Sequence, residues 1–201
     1  MSATPHKLAK LEQAVRQTYE AKDPQRAAWA DWLYDTHVFT VADYAQSLAE
    51  RYDVPVYMCR AAAVLHDIAD ASMSRFDPNH EQASMDIARQ LLDAAGYDAA
   101  EIGIIVDDAL KLHSCHDGQR PDTQVGKVLA TADALAHLQT DFYTYATETM
   151  MDDMPIDKRR AWAAKKIRRD FNDKIAYDAI REEARPYYEK LAAHFNNEDR
   201  V

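Results

Sequence analysis

Apolar residues recur along most of this chain at the three- and four-residue spacing of amphipathic helices. Leu8, Leu11, Val15 and Tyr19 follow this spacing and predict a first helix over residues 6–22. The same pattern predicts the further helices 24–52, 56–69, 80–95, 98–113 and 123–149. Two more helices are predicted between Pro155 and Phe195, with a break near Pro186.

Residues that begin or end helices support several of these boundaries. Pro24 follows Asp23, and proline is favoured at the first position of a helix because its missing N–H would be unpaired there. Asn79 with Gln82 resembles a capping pair at a helix start. Gly96 is a suitable residue just beyond a helix end.

Composition supports an all-α fold. The 201 residues include only four glycines and seven prolines, too few for the many turns of a β protein, and Ala, Leu, Glu, Lys and Arg favour helices. The length fits a single domain with a substantial core. We predict a helical domain over residues 1–150 and a C-terminal helical extension, residues 151–201, packed on it.

Charge and cysteine content exclude some classes of protein. The net charge of −10 argues against a nucleic-acid-binding surface. The chain has no apolar run approaching 18 residues and no apolar signal core at its start, so we expect no membrane span and a cytoplasmic location. Cys59 and Cys115 are expected to be free thiols.

The most unusual feature is a histidine–aspartate pair, His66-Asp67, at the end of an apolar segment that begins at Ala61. Burying such a pair costs several kcal/mol unless a charge or a metal compensates. Asp133 is a second unusual carboxylate, because it lies within a run of small apolar residues rather than on a solvated face. His37, His80 and His113 are further candidates to meet the pair.

Imidazole and carboxylate groups together are the ligand set of a divalent ion such as Mn²⁺, Fe²⁺, Co²⁺, Mg²⁺ or Zn²⁺. Any single histidine here is better explained as an ordinary surface or core residue than as a ligand. The combination of several such residues on successive helices is harder to explain in that way. The sequence therefore favours a metal site between the helices of a bundle.

His37, then His66-Asp67, then Asp133, in this order on successive helices, resemble the HD superfamily of metal-dependent phosphohydrolases. The resemblance covers roughly residues 30–140 and implies an HD-domain helical bundle. The flanking phrases that share it are residues 62–69, Asn79-His80-Glu-Gln-Ala-Ser84, Leu112-His113 and Lys127 to Leu135.

This resemblance implies that His37, His66, Asp67 and Asp133 bind a divalent metal, and that a metal-bound water attacks phosphorus. His66, Asp67, His80 and His113 would be the catalytic residues. His80 and His113 match positions that hold a second metal in some members and contact phosphate or move a proton in others. One ion is favoured here, because no additional bridging acid is evident.

Two departures leave the general acid or base unassigned. Ala69 replaces a glycine often found two residues after the family's aspartate, and Asp70 stands where many relatives carry a lysine or arginine. Asp70 would bind water or a second ion, or simply end the helix.

The substrate is expected to be a small phosphorylated metabolite, plausibly a nucleotide. Seven Lys/Arg and no acid lie between Lys158 and Arg169, and Lys165, Arg168 and Arg169 share one helix face that could bind a di- or triphosphate. A solvated helix face is the simpler alternative for these residues. The oligomeric state is open, with a homodimer as one option.

Two other functions stay open at this point. A di-iron oxygenase of the same superfamily would use all six of these residues as ligands: His37, His66, Asp67, His80, His113 and Asp133. A non-catalytic module that keeps the fold and senses a nucleotide is the other, although such a module has no physical need for a buried histidine–aspartate pair.

Overall fold

A computed structural model describes residues 3–196 of the chain, and these residues contain no β-strand. The predicted all-α class is therefore confirmed. Cys59 and Cys115 are buried free thiols. Among the described residues, no helix combines the length and the apolar character needed to cross a membrane.

Nine helical segments, which we label α1 to α9, make up most of the described chain, and several continue directly into or out of a π-helical turn. Short 3-10 turns at Ile68–Ala71 and His116–Gly118 lie in the connections. The segments are α1 Ala3–Glu20; α2 Phe39–Tyr52, entered through Ala30–Trp32 and the π turn Leu33–Val38; α3 Val56–Leu65; α4 His80–Ala95; α5 Ala99–Ile102 with the π turn Gly103–Leu110; α6 Gln124–Gln139; α7 Phe142–Tyr145 with the π turn Ala146–Met150; α8 Ile156–Arg169 with the π turn Asp170–Lys174; and α9 Asp178–Asn196.

Helix α6 is the centre of the bundle. All its residues from Val125 to Leu138 are buried except Lys127, so it is surrounded by protein on every side. It packs against α2, α3 and α5, and the π turn after α8 packs against it as well. Any polar side chain in the middle of this helix must therefore find its partners inside the protein.

Two predicted boundaries are wrong for local reasons. The helix expected to begin at Pro24 begins at Ala30, because Asp23 uses its carboxylate and its carbonyl to form a tight turn with Gln25 and Arg26. The helix expected to reach residue 149 ends at Gln139, since Thr140 adopts an extended conformation and α7 starts in a new direction.

The predicted break near Pro186 is also wrong. The chain breaks between Lys174 and Asp178, and Pro186 lies inside α9. Pro186 is on the exposed side of α9, where water can satisfy the carbonyl that loses its N–H partner. Thr131 of α6 anchors the segment between Lys174 and Asp178, because its hydroxyl oxygen accepts a hydrogen bond of 3.0 Å from the Ala176 N–H.

Close packing between α5 and α6 depends on Gly126. A Cβ added there would contact Pro121 and would lie 2.5 Å from Asp108 Oδ2 and 3.3 Å from Ala109 Cα. Asp108 cannot move away freely, because its carboxylate accepts hydrogen bonds from the Asp122 and Thr123 N–H groups at the start of α6. The absence of a side chain at Gly126 thus sets the approach of these helices.

We expect Gly126→Ala to lower the free energy of unfolding by about 1–3 kcal/mol through overpacking. Gly103→Ala is the matched control, because an added Cβ would meet nothing nearer than Asp107 Oδ2 at 4.0 Å. Alanine should there stabilise the helix by about 0.5–1 kcal/mol. Urea unfolding followed by circular dichroism measures both, and two effects of the same sign would contradict the packing argument.

Candidate metal centre

His66 lies just after the last residue of α3 and is almost fully buried. The helix ends there, and the imidazole folds back toward the last turn of α3. Its Nδ1 lies 2.7 Å from the Ala63 carbonyl oxygen. A carbonyl oxygen only accepts, so Nδ1 carries the proton in the neutral ring. The lone pair of Nε2 is then directed away from α3, which is the arrangement a metal ligand needs.

His37 and Asp133 bring the other two groups to this nitrogen. His37 lies in the π turn that leads into α2, and its Nε2 is 3.3 Å from His66 Nε2. Asp133 comes from the middle of α6, with Oδ1 3.2 Å from His37 Nε2 and 3.7 Å from His66 Nε2. The three residues are buried and each offers a ligand atom within 4.8 Å of the other two.

The state of Asp133 shows that this set fits a divalent cation. Its Oδ1 is buried and makes no hydrogen bond, although it lies among imidazole nitrogens. Its Oδ2 accepts a hydrogen bond from Lys174, which is itself 1% exposed. Burial by itself would raise the pKa of Asp133, but His137 and Lys174 outweigh it and keep the pKa well below its usual value. An ionised carboxylate oxygen beside the Nε2 atoms of two buried imidazoles is a site for a cation.

Asp67 approaches the same three residues from one side. Its Oδ2 is 3.3 Å from His66 Nε2 and 2.5 Å from Arg75 Nη2. Burial opposes ionisation of Asp67, but the charges of Arg75 and His66 hold its pKa well below the usual range. Asp67 is therefore an ionised carboxylate next to the candidate ligands, with one of its oxygens shared between His66 and a guanidinium.

The structure places His80 and His113 at the same cavity but in different settings. His80 begins α4 and its Nε2 lies 3.1 Å from Asp70 Oδ1. His113 follows α5, with Nδ1 2.6 Å from the Leu110 carbonyl oxygen and its ring centre 5.6 Å from that of His66. Burial, with the charge of Lys174, lowers the pKa of His113 to about 4, so this imidazole is neutral at pH 7, and its Nε2 lies 3.4 Å from the Ser114 hydroxyl oxygen.

The sequence analysis missed a second buried group behind the candidate ligands. His137 Nε2 lies 3.2 Å from Asp133 Oδ1, and His137 Nδ1 lies 3.0 Å from Asp170 Oδ2. Asp170 also accepts a hydrogen bond from the Tyr143 hydroxyl and lies 3.8 Å from Lys174 Nζ. The spacing of Asp133 and His137, one turn apart on a helix, was a signal that could have found His137.

A cavity of about 560 Å³ opens in front of these residues. Its lining includes His66, Asp67, His113 and Asp133. The lining also includes a cationic wall, by which we mean Lys165, Lys166 and Arg169 of α8.

The three cations that we expected to act together line two adjoining recesses. Lys165 and Arg169 line the cavity, and Lys166, which was not among the residues expected from the sequence, lies beside them. Lys165, Arg168 and Arg169 together line a neighbouring recess with Cys115 and Asn172. Arg169 is further tied to the cavity mouth, because its Nη1 lies 2.9 Å from His116 Nδ1.

Comparison with known proteins supports this arrangement. Residues 34–138 match the model of the HD domain family. The fold is similar to that of a predicted HD superfamily hydrolase from an uncultured Thermotogales bacterium, with a TM-score of 0.56 and 19% identity over 94% of this chain and 88% of the other. No curated protein matches the chain significantly.

If the site binds Mn²⁺, the ion should stabilise the folded chain by about 2.7 kcal/mol at one hundred times its Kd. For a chain of this size that corresponds to a rise in Tm of about 5–10 °C. We expect Asp133→Asn to abolish the rise, whereas Asp107→Asn, which alters an exposed carboxylate, should preserve it. Differential scanning calorimetry of EDTA-treated protein measures the shift; an equal shift in the two variants would contradict the site.

Proposed function

This chain belongs to the HD domain family, and from that membership we propose that it is a metal-dependent phosphohydrolase acting on a small phosphorylated metabolite. The structurally similar Thermotogales protein is described as a predicted hydrolase of the same superfamily, which agrees with the proposal. The proposed metal ligands are His37, His66, Asp67 and Asp133.

The observation that carries the proposal is the placement of opposite chemistries in one cavity. Three of the four proposed ligands, His66, Asp67 and Asp133, line it together with the cationic wall. A phosphorylated molecule in this cavity would meet both the bound ion and the cations of the wall, which matches the charge of a phosphoryl group in its ground and transition states. Neither half of the cavity by itself would favour this substrate class.

Residues at the site have distinct chemical roles in this scheme. A divalent ion at the site would lower the pKa of water and neutralise phosphate charge. His113 is neutral and offers Nε2 at the cavity, so it can accept a proton from an attacking water or from an incoming group. Asp133 keeps Oδ1 for the ion because Lys174 occupies Oδ2.

A nucleotide is the substrate we favour within this class. The volume of about 560 Å³ lies within the range of small-molecule and cofactor sites. Three cations on one helix exceed what a single phosphate needs, so a nucleoside di- or triphosphate suits them better. His116 and Trp162 at the cavity provide rings near the wall, although nothing distinguishes one base from another.

The direct test is release of phosphate or pyrophosphate by EDTA-treated protein resupplied with Mn²⁺, Co²⁺, Fe²⁺, Mg²⁺ or Zn²⁺, over a panel of nucleotides and phosphoesters. We expect activity with at least one ion and a loss of at least a hundredfold in Asp67→Ala. Hydrolysis that is unchanged in that variant would contradict the proposal. Oxygen consumption without phosphate release would instead indicate the di-iron oxygenase.

The cationic wall should govern substrate binding more than the chemical step. We expect Lys165→Ala/Arg169→Ala to raise KM about tenfold or more and to change kcat much less, because these cations line the cavity but are not among the proposed metal ligands. Lys158→Ala is the matched control, since Lys158 is an exposed lysine of the same helix outside the cavity. Equal effects of the wall and control variants on KM would disprove this role.

Lys166 should make substrate binding sensitive to alkaline pH. Burial lowers the pKa of Lys166 to about 8, although Asp170, 3.5 Å from its Nζ, opposes the shift together with Asp133. The neighbouring cations Lys174 and Arg169 act in the same direction as burial. As pH rises through 8, Lys166 loses its charge while the substrate phosphate, with a second pKa of about 6, stays ionised.

We therefore expect KM to rise between pH 7 and pH 9 in the native chain. Lys166→Arg should flatten this rise, because a guanidinium stays protonated throughout that range. Steady-state kinetics at 0.5-unit pH intervals measures both. The same alkaline rise in the arginine variant would show that another group is responsible.

A further inference from the structure

A second cationic group, the guanidinium of Arg75, lies directly beside the candidate metal centre. Arg75 belongs to the loop between the 3-10 turn Ile68–Ala71 and α4. Its Nε donates to Asp70 Oδ1 at 3.2 Å and its Nη2 donates to Asp70 Oδ2. The same Nη2 lies 2.5 Å from Asp67 Oδ2. One guanidinium therefore joins the carboxylates of two aspartates.

Asp70 fixes the position of this guanidinium. Its side chain is fully buried, and it accepts from Arg75 through both oxygens in the bidentate form that guanidinium and carboxylate favour. Its Oδ1 is also 3.1 Å from His80 Nε2. A buried carboxylate with two such partners is strongly held, because leaving it without them would cost several kcal/mol.

Asp67, Asp70 and His80 are the residues that a second divalent ion would need as ligands. Asp67 could bridge two ions, while Asp70 and His80 could complete a second set of ligands. In the structure, one oxygen of Asp67, both oxygens of Asp70 and the imidazole nitrogen of His80 are committed to Arg75 and to one another. Within residues 3–196, the only group that meets the geometric requirement for a metal is His37, His66 and Asp133.

Arg75 is also open to a ligand. Its side chain is 29% exposed and lines the cavity with Asp67 and His80. Nε and Nη2 are occupied by the aspartates, whereas Nη1 makes no hydrogen bond to any residue in the described part of the chain. A guanidinium held from one side with a free N–H pair on the other is suited to bind an anionic oxygen.

We propose that Arg75 serves as the permanent second cation of this site: it takes the place of a second metal ion and binds the phosphoryl group of the substrate through Nη1. Asp70 is the positioning residue that holds it there. The proposal rests on the proposed function and deepens it, because it fixes one metal ion per chain and adds a residue that contacts the substrate.

The metal stoichiometry is the first test. Protein loaded with Mn²⁺ and freed of excess ion should contain one Mn²⁺ per chain by elemental analysis. Its electron paramagnetic resonance spectrum should be that of an isolated ion. Two ions per chain, or the spectrum of a coupled pair, would overturn the proposal whether or not the protein hydrolyses anything.

Binding of inorganic phosphate to the Mn²⁺-loaded protein is the second test, by isothermal titration calorimetry. We expect Arg75→Met to weaken binding at least tenfold and Arg75→Lys to recover part of the loss. Arg89→Met is the matched control, since Arg89 is a half-exposed arginine that pairs with Asp107 and does not line the cavity. Phosphate binding in Arg75→Met within twofold of the native value would overturn the proposal.

Arg75→Met leaves Asp70 buried beside His80 alone and could unfold the chain. The double variant Asp70→Asn/Arg75→Met removes both charges, so no buried carboxylate is left without its cation. Its Tm and Mn²⁺ content are measured alongside phosphate binding. One Mn²⁺ per chain with phosphate binding weakened tenfold supports the proposal; one Mn²⁺ with unchanged phosphate binding contradicts it. Neither readout requires turnover, so an error in the proposed reaction would be recognised separately.

Discussion

The need to compensate buried carboxylates governs this structure. Asp133 and Asp170 are almost fully excluded from water, as is Asp70, and an ionised carboxylate in such a place is tolerated only with cations or strong donors around it. Lys174 stands between Asp133 and Asp170, and Arg75 holds Asp70. These pairs orient the side chains on which the site depends. Lys174 occupies one oxygen of Asp133 and leaves the other available, and Asp70 fixes Arg75 through both of its oxygens.

The partners of these carboxylates come from distant parts of the chain. The match to the HD family ends at residue 138, but Asp170 and Lys174 come from the π turn after α8. The cationic wall lies on α8 itself. The C-terminal helices therefore supply both Lys174, which pairs with Asp133, and the cations that line the cavity. In our proposal, the family region would hold the metal and the later helices would select the substrate.

Much of the fold and part of the site could be predicted from local sequence. Helix periodicity and the positions of glycines identified most helices, and α4 was predicted with its observed limits of 80 and 95. His37, His66 and Asp133 drew notice because polar residues in apolar helices need partners, and the structure brings them together. Pro24 and Pro186 misled the prediction, since a side-chain turn at Asp23 and an exposed helix face outweighed the general preferences of proline.

The sequence by itself determined the helical class and the presence of buried histidines and carboxylates that require a cation, since both follow from periodicity and from the cost of burying charge. Only the tertiary structure decided which cations pair with which carboxylates. Arg75 and Lys174 look like ordinary charged residues in the sequence. Whether such a side chain enters the cavity depends on the rotation of its helix and on the packing of distant segments, which local sequence does not encode.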